Sequence, residues 1–293
     1  MELGICLPHY GKAMEPSGMR RFAESAESLG FDSLWVTDHV IIPRDRDMLY
    51  KERMLDPLAT LNYLAGVTSR IRIGTSVIVL PYRHPALVAK MLATADVLSG
   101  GRVIFGAGVG GVEGEFRALN ADYEHRGEVA DEYLRVIKSL WTDPSADYEG
   151  RFVCIKGMFF SPAPAQRPHP PVWIGGSTKR AGRRTVDFGD AWHATNVTVE
   201  QFTEIGRHIR RLSEKSGRAT PPKINIRMPV YFDGHLPPGR SGLEGDDASI
   251  IRQAKAYMDV GADHLVFGLP DLTFDEAMSQ TERLAKKVNP NLR

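Results

Sequence analysis

Three stretches of this chain carry residue types that could do chemistry at one shared site. The first is Pro171 to Arg184, PVWIGGSTKRAGRR. A short apolar run, two glycines and two hydroxyls lead into a basic helical pattern, so the segment reads as a strand entering a helix N-terminus. Around Gly175, Gly176, Ser177 and Thr178, backbone N–H groups, hydroxyls and the positive end of the helix dipole can converge on an anion such as a phosphate. The same residues also suit a plain tight turn with Ser177 or Thr178 as an ordinary N-cap. The second stretch is Asp38 and His39, directly after the strand-like SLWVT. An imidazole beside a carboxylate can hold one tautomer or move a proton near neutral pH; a local turn role for Asp38 and a surface role for His39 compete with that. The third is Gly106, Gly108, Gly110 and Gly111, glycines that would let the backbone approach something flat and large, or simply form a flexible turn.

Several chemistries are excluded by what is missing. The glycine run lacks the βαβ fingerprint with a ribose-binding acid about 20 residues on, because Asp122 near that offset falls in a loop, so a nicotinamide site is not expected. No GxSxG elbow, Walker loop or cysteine-rich metal spacing occurs, and the lack of a nucleophile points to a cofactor that carries the difficult step. His9, His84 and His193 each fit a rim or structural histidine as well as a functional one.

These residues need a scaffold, and the hydropathy pattern supplies one. Short β-like runs alternate with longer amphipathic runs about eight times from end to end. Strands are expected at 3–7, 33–37, 71–80, 103–107, 172–175, 191–195, 224–232 and 263–267, with helices between them, the last over 274–288. The pattern predicts an α/β fold, a (β/α)8 TIM barrel forming a single domain over residues 1–293. A small excursion (145–170) precedes strand five, a long loop (42–56) follows strand two, and another long loop (234–245) follows strand seven. Pro144 is expected to close the helix before the excursion. In such a barrel the functional groups collect at the C-terminal ends of the strands, which is where all three stretches fall.

Composition narrows the partners. With 37 Lys plus Arg against 36 Asp plus Glu in 293 residues, no global field draws the protein to nucleic acid or to a membrane surface. The N-terminus carries no basic leader with a long apolar stretch, and two lone cysteines, Cys6 and Cys154, suit a reducing compartment, so a cytoplasmic protein is expected.

Five segments in this order, GFDSLWVTDH (30–39), IRIGTSVIVLPYRHP (71–85), SGGRVIFGAGVG (99–110), DEYLRVIKSLW (131–141) and RPHPPVWIGG (167–176), resemble the bacterial luciferase-like superfamily of flavin- and deazaflavin-dependent oxidoreductases. WVTDHV and RPHPPVWIGG are most similar to the group that uses coenzyme F420. The resemblance implies hydride transfer to or from a small-molecule organic substrate, with the ring over the barrel mouth near Asp38 and His39. It implies a phosphate held at Gly175, Gly176, Ser177 and Thr178 with help from Arg180 or Arg183, and a non-proline cis peptide between Ser76 and Val77 against one ring face. A homodimer and a flavin or F420 reductase as electron source are implied as well. The sequence departs from the sugar-phosphate and alcohol dehydrogenases of the superfamily at two positions. Pro43 stands where they have a tryptophan and Gly111 where they have a glutamate, Glu113 being close but shifted, so that substrate assignment is rejected and the substrate stays open. The alternatives are a two-component monooxygenase using reduced FMN, in which a dry pocket keeps water from the reactive flavin, a non-catalytic flavin-binding protein, and a metal-dependent barrel hydrolase built on His9, His39, His84 and His193.

Overall fold

A computed structural model describes residues 1–44, 53–143, 145 and 147–293. Its barrel strands are β1 (Glu2–Cys6), β2 (Ser33–Val36), β3 (Arg72–Thr75), β4 (Val103–Gly108), β5 (Val172–Gly175), β6 (Ala191–Thr195), β7 (Lys223–Phe232) and β8 (His264–Gly268). Each pairs in parallel with the next, and β8 pairs with β1 through Glu2↔His264 to Ile5↔Phe267, which closes the ring. This is the expected TIM barrel.

Around it run α1 (Met19–Ser28), α2 (Pro57–Val67), α3 (Pro85–Ser99), α4 (Glu113–Ala118), α5 (Arg126–Thr142), α6 (Lys179–Phe188), α7 (Val199–Lys215), α8 (Asp247–Asp259) and α9 (Phe274–Arg283). Their ends follow local chemistry. Asp56 caps α2 by accepting from the Leu58 and Ala59 amides with Pro57 in the first turn, and α3 stops where Gly100 turns left-handed at φ 69°.

The structure differs from the sequence pattern in four places. The third strand is not continuous over 71–80: β3 ends at Thr75, a cis Ser76–Val77 bond follows, and Ile78–Val79 pairs again with β4. The six-residue α4 is too short to show a helical period. The loop after β7 returns a short strand, Leu243–Gly245, parallel to β7, and α9 ends at Arg283, continuing as a wider turn over Leu284–Val288. The excursion before β5 forms the small hairpin expected of it, Tyr148–Glu149 against Cys154–Ile155. Pro144 and residues 45–52 of the loop after β2 lie outside the described residues.

The strands bury both faces. Leu3, Ile5, Ile73, Phe105, Ile226 and Leu265 pack outward against the helices, while Trp35 and Trp173, centroids 4.7 Å apart, fill the barrel with Cys6, Ile104 and Val266. A Cβ at Gly74 would lie 2.5 Å from the Trp35 ring, so the glycine is what admits the indole. A buried indole removes roughly 200 Å² from water, on the order of 5 kcal/mol at about 25 cal/mol per Å². The barrel centre is therefore a packed floor under the mouth.

Candidate active site

The segment after β3 forms part of that mouth, and two sets of polar groups hold it. On one side the buried Asp38 carboxylate accepts from the Val79 amide (2.9 Å) and from both terminal nitrogens of Arg83 (2.7 and 3.0 Å), while Arg83 also reaches Asp56 (2.7 Å). Burial pushes the Asp38 carboxyl above its ordinary value, against the pull of Arg83 and the amide. On the other side, Ser76 Oγ meets His193 Nε2 at 2.8 Å, and Arg227 Nη1 donates to the Ser76 carbonyl (2.8 Å) and to its Oγ (3.2 Å).

Val77 then turns its side chain onto the glycines. A Cβ on Gly108 would sit 2.5 Å from Val77 Cγ2, one on Gly175 2.8 Å from Val77 Cγ1, and one on Gly110 2.5 Å from Val79 Cγ1. The open sides of these glycines, read from the sequence as room for a flat group, are thus filled by the protein's own bulge. What they support is Val77 and Val79.

His39 finds its carboxylate 76 residues away. Its Nδ1 lies 2.7 Å from Glu115 Oε2 on α4, and the fully buried Glu115 also accepts from the Val40 and Ile41 amides (2.9 and 3.3 Å) and from the Tyr82 hydroxyl (3.2 Å). Burial opposes ionisation of Glu115, but the hydrogen bonds and charge of His39 and the two amides outweigh it and hold the carboxyl below its ordinary value. With Glu115 ionised, Nδ1 donates, and Nε2 is the nitrogen that can take up or give a proton. Two expectations are corrected here. Asp38 is adjacent in sequence but its side chain is engaged by Arg83, so it is not the partner of the imidazole, and the carboxylate that meets the ring after β4 is Glu115 rather than a group at position 111 or 113. Glu113 is on the outer face, paired with Arg117 at 3.1 Å. Only Glu115 and Phe116 of α4 are buried, and a Cβ on Gly114 would meet Pro43 at 2.5 Å, so Pro43 packs α4 into place.

At the start of α6, Thr178 Oγ1 accepts from the Ala181 amide (3.2 Å), Ser177 Oγ donates to the Thr195 carbonyl (2.7 Å), and Trp192 Nε1 donates to the Gly176 carbonyl (2.7 Å). Gly176 holds φ 126°, a conformation that glycine allows. The first-turn amides have no intrahelical acceptor, and no acid occupies that turn. A cleft of about 280 Å³ adjoins it, lined by Ser177, Lys179, Asn196 and Gln201 among others. This donor set fits a phosphate. Lys179 pairs with Glu204 (2.9 Å), and Arg183 pairs with Asp187 on the same helix (3.5 Å).

A larger cleft of about 570 Å³ opens between the ends of β6, β7 and β8, lined by Tyr10, Asn196, Arg227, Pro229 and Tyr231 among others. Strand β7 carries a signal that sequence reasoning passed over: Ile224, Ile226, Met228 and Val230 are buried outward, and Asn225, Arg227, Pro229 and Tyr231 alternate with them toward the interior and mouth. The remaining histidines do not converge. His9 bonds the Leu7 carbonyl and the Thr37 backbone, burial lowering its pKa, and His84 caps α3. Among the described residues no group of three or more His, Cys, Asp or Glu could hold a metal ion, and no helix is long and apolar enough to cross a membrane.

A family model described as luciferase-like monooxygenase matches residues 1–264. An uncharacterised protein of Mycobacterium tuberculosis is 29% identical over 98% of this chain and 99% of its own length. An FMNH2-dependent dimethylsulfone monooxygenase of Pseudomonas putida is 31% identical over 166 residues, 55% of this chain and 45% of that protein. The structure of an F420-dependent secondary alcohol dehydrogenase with an F420–acetone adduct superposes with TM-score 0.82 at 17% identity, covering 100% of both chains.

Proposed function

This chain belongs to the luciferase-like monooxygenase family, and we propose that within it the protein is a coenzyme F420-dependent oxidoreductase acting on a small organic substrate at the barrel mouth. The observation that carries this reading is the His39–Glu115 pair, 2.7 Å apart beside the held segment after β3. When bound, the deazaflavin supplies a hydride donor or acceptor on a flat ring. Val77 would back that ring, and the first turn of α6 with Gly176, Ser177 and Thr178 would hold the phosphate. Asp38 and Arg83 fix the segment, a positioning task.

Hydride transfer to a carbonyl or an activated alkene leaves a negative charge that needs a proton. His39 gives it from Nε2, and Glu115 stabilises the imidazolium from which it comes; the reverse direction uses the same nitrogen as base. Asn196, Arg227 and Tyr231 set polar groups among the apolar lining of the cleft, a surface that suits a small organic substrate with an oxygen function.

Reduced FMN with oxygen is the second reading, favoured by the identity to the Pseudomonas monooxygenase and by Pro43 in place of the dehydrogenase tryptophan. In either case the protein acts as a homodimer and draws electrons from a flavin or F420 reductase. Oxidation of reduced F420, followed without oxygen against a panel of ketones and enones, should become substrate-dependent. Turnover only with reduced FMN and oxygen would replace this reading with the second.

A further inference from the structure

Inside the barrel, below the mouth, three neighbouring strands set polar side chains at one level. Asn225 on β7 is the register partner of His193 on β6 and of His264 on β8. Partners in register point to the same face of a sheet, and here that face is the barrel interior. His193 stacks on Trp35 with centroids 5.1 Å apart, and His264 reaches Ser33 Oγ at 2.9 Å. The three are 2%, 0% and 1% exposed for His193, Asn225 and His264.

Their hydrogen-bonding capacity is unevenly met. His264 uses both nitrogens, Nε2 on Ser33 and Nδ1 on Glu2 Oε2 at 3.0 Å. Ser33 also accepts from Trp35 Nε1. His193 uses Nε2 alone, on Ser76. Its Nδ1, and both the nitrogen and the oxygen of the Asn225 amide, have no protein partner. Buried polar atoms are costly unless bonded, and where side chains cannot reach them ordered water does.

We propose that the barrel interior holds a buried water site between His193 and Asn225, and that this site fixes His193 as the Nδ1–H tautomer that positions Ser76. The tautomer follows from the protons available. Ser76 Oγ has two partners, Arg227 Nη1, which can only donate, and His193 Nε2, so that nitrogen is the one acceptor its hydroxyl proton has and is then unprotonated. Nδ1 carries the ring proton and donates a hydrogen bond to the water, which also bonds the Asn225 amide. Burial, with the charge of Arg227 adding to it, keeps the ring neutral. Ser76 precedes the cis bond, so the water supports the segment from beneath.

The importance of Ser76 for a bound ring rests on the F420 or flavin reading above. The water and the tautomer do not, and both are measured without cofactor. Long-range proton–nitrogen correlation on ¹⁵N-labelled apo-protein should show the neutral His193 ring protonated at Nδ1. A crystal structure that resolves waters should show one within hydrogen-bond distance of Nδ1 and of the Asn225 amide. The Nε2–H tautomer, or Asn225 turned to bond His193 directly in a dry interior, overturns the site. In Asn225→Leu the water should be lost and the affinity for F420 or FMN should fall at least about threefold; unchanged affinity overturns the positioning role, and should that variant not fold, His193→Gln reads the same loss. Binding of neither cofactor by the parent protein would count against the proposed function while leaving the water and tautomer result standing.

Discussion

Glu115 decides what His39 can do. An isolated imidazole can carry its proton on either nitrogen, whereas one held by a buried carboxylate at 2.7 Å has a fixed tautomer and orientation, with Nδ1 donating. Glu115→Gln keeps the side-chain shape and an oxygen for the Val40 and Ile41 amides but removes the charge. It should lower turnover by roughly 10²-fold with cofactor affinity within about twofold, measured by steady-state kinetics beside a binding titration. Unchanged turnover would take His39 out of the proton transfer. This pair was not legible in the sequence. Asp38 stands next to His39 in the chain and attracted the assignment, but consecutive side chains leave an extended backbone on opposite sides. The carboxylate that meets the ring comes from a six-residue helix that no period reveals.

At the scale of elements, the start of α6 was legible and the glycines of β4 were legible only in part. Pro171 to Arg184 announces a strand, a glycine turn and a capped helix through local rules alone, and the structure has all three. The glycines at 108, 110 and 175 announce close approach but not of what, and it takes the fold to show Val77 and Val79 against them. The cis Ser76–Val77 bond came from the family resemblance, since nothing in IRIGTSVIVLP marks it locally. Thr178→Asp tests the phosphate assignment at this scale. Aspartate is as good an N-cap as threonine, so stability should stay within about 0.5 kcal/mol. Its charge would lie where the phosphate is held, so affinity for a phosphate-bearing cofactor should fall at least about tenfold, or about 1.4 kcal/mol. Binding unaffected by that carboxylate would move the phosphate elsewhere.

Across the whole molecule the barrel was the most legible feature, because eight repeats of one pattern leave few other folds. The side chains lining it inside were less so, since Asn225, His193 and His264 lie far apart in sequence and meet only through strand register. This buried layer makes a prediction about acid. Burial lowers the pKa of His193 to about 3, with Arg227 and His264 adding to the effect; it also lowers His264 despite the opposing pull of Glu2. Between the ordinary value of 6.5 and these depressed values the unfolded chain binds protons that the folded protein does not, so stability is lost as pH falls through that window. The loss should be about 1.4 kcal/mol per pH unit for each such histidine. The hydrogen bond to His264 holds the partly exposed Glu2 down at about 2 against the opposing effect of burial, so its contribution is present above the ordinary value of 4.5 and is lost as pH falls from there toward 2. Denaturant unfolding at pH 7, 6 and 5 should show the decline; a flat profile would mean that these histidines are protonated in the native state.

The chemistry of the barrel mouth turns on which cofactor it takes, and a binding titration decides that. Purified apo-protein would be titrated with coenzyme F420 and with FMN, each oxidised and reduced, by fluorescence quenching. Coenzyme F420 should bind saturably and at least about tenfold tighter than FMN, a difference of about 1.4 kcal/mol. Selective binding of reduced FMN would contradict this and make oxygen-dependent chemistry the function of this mouth.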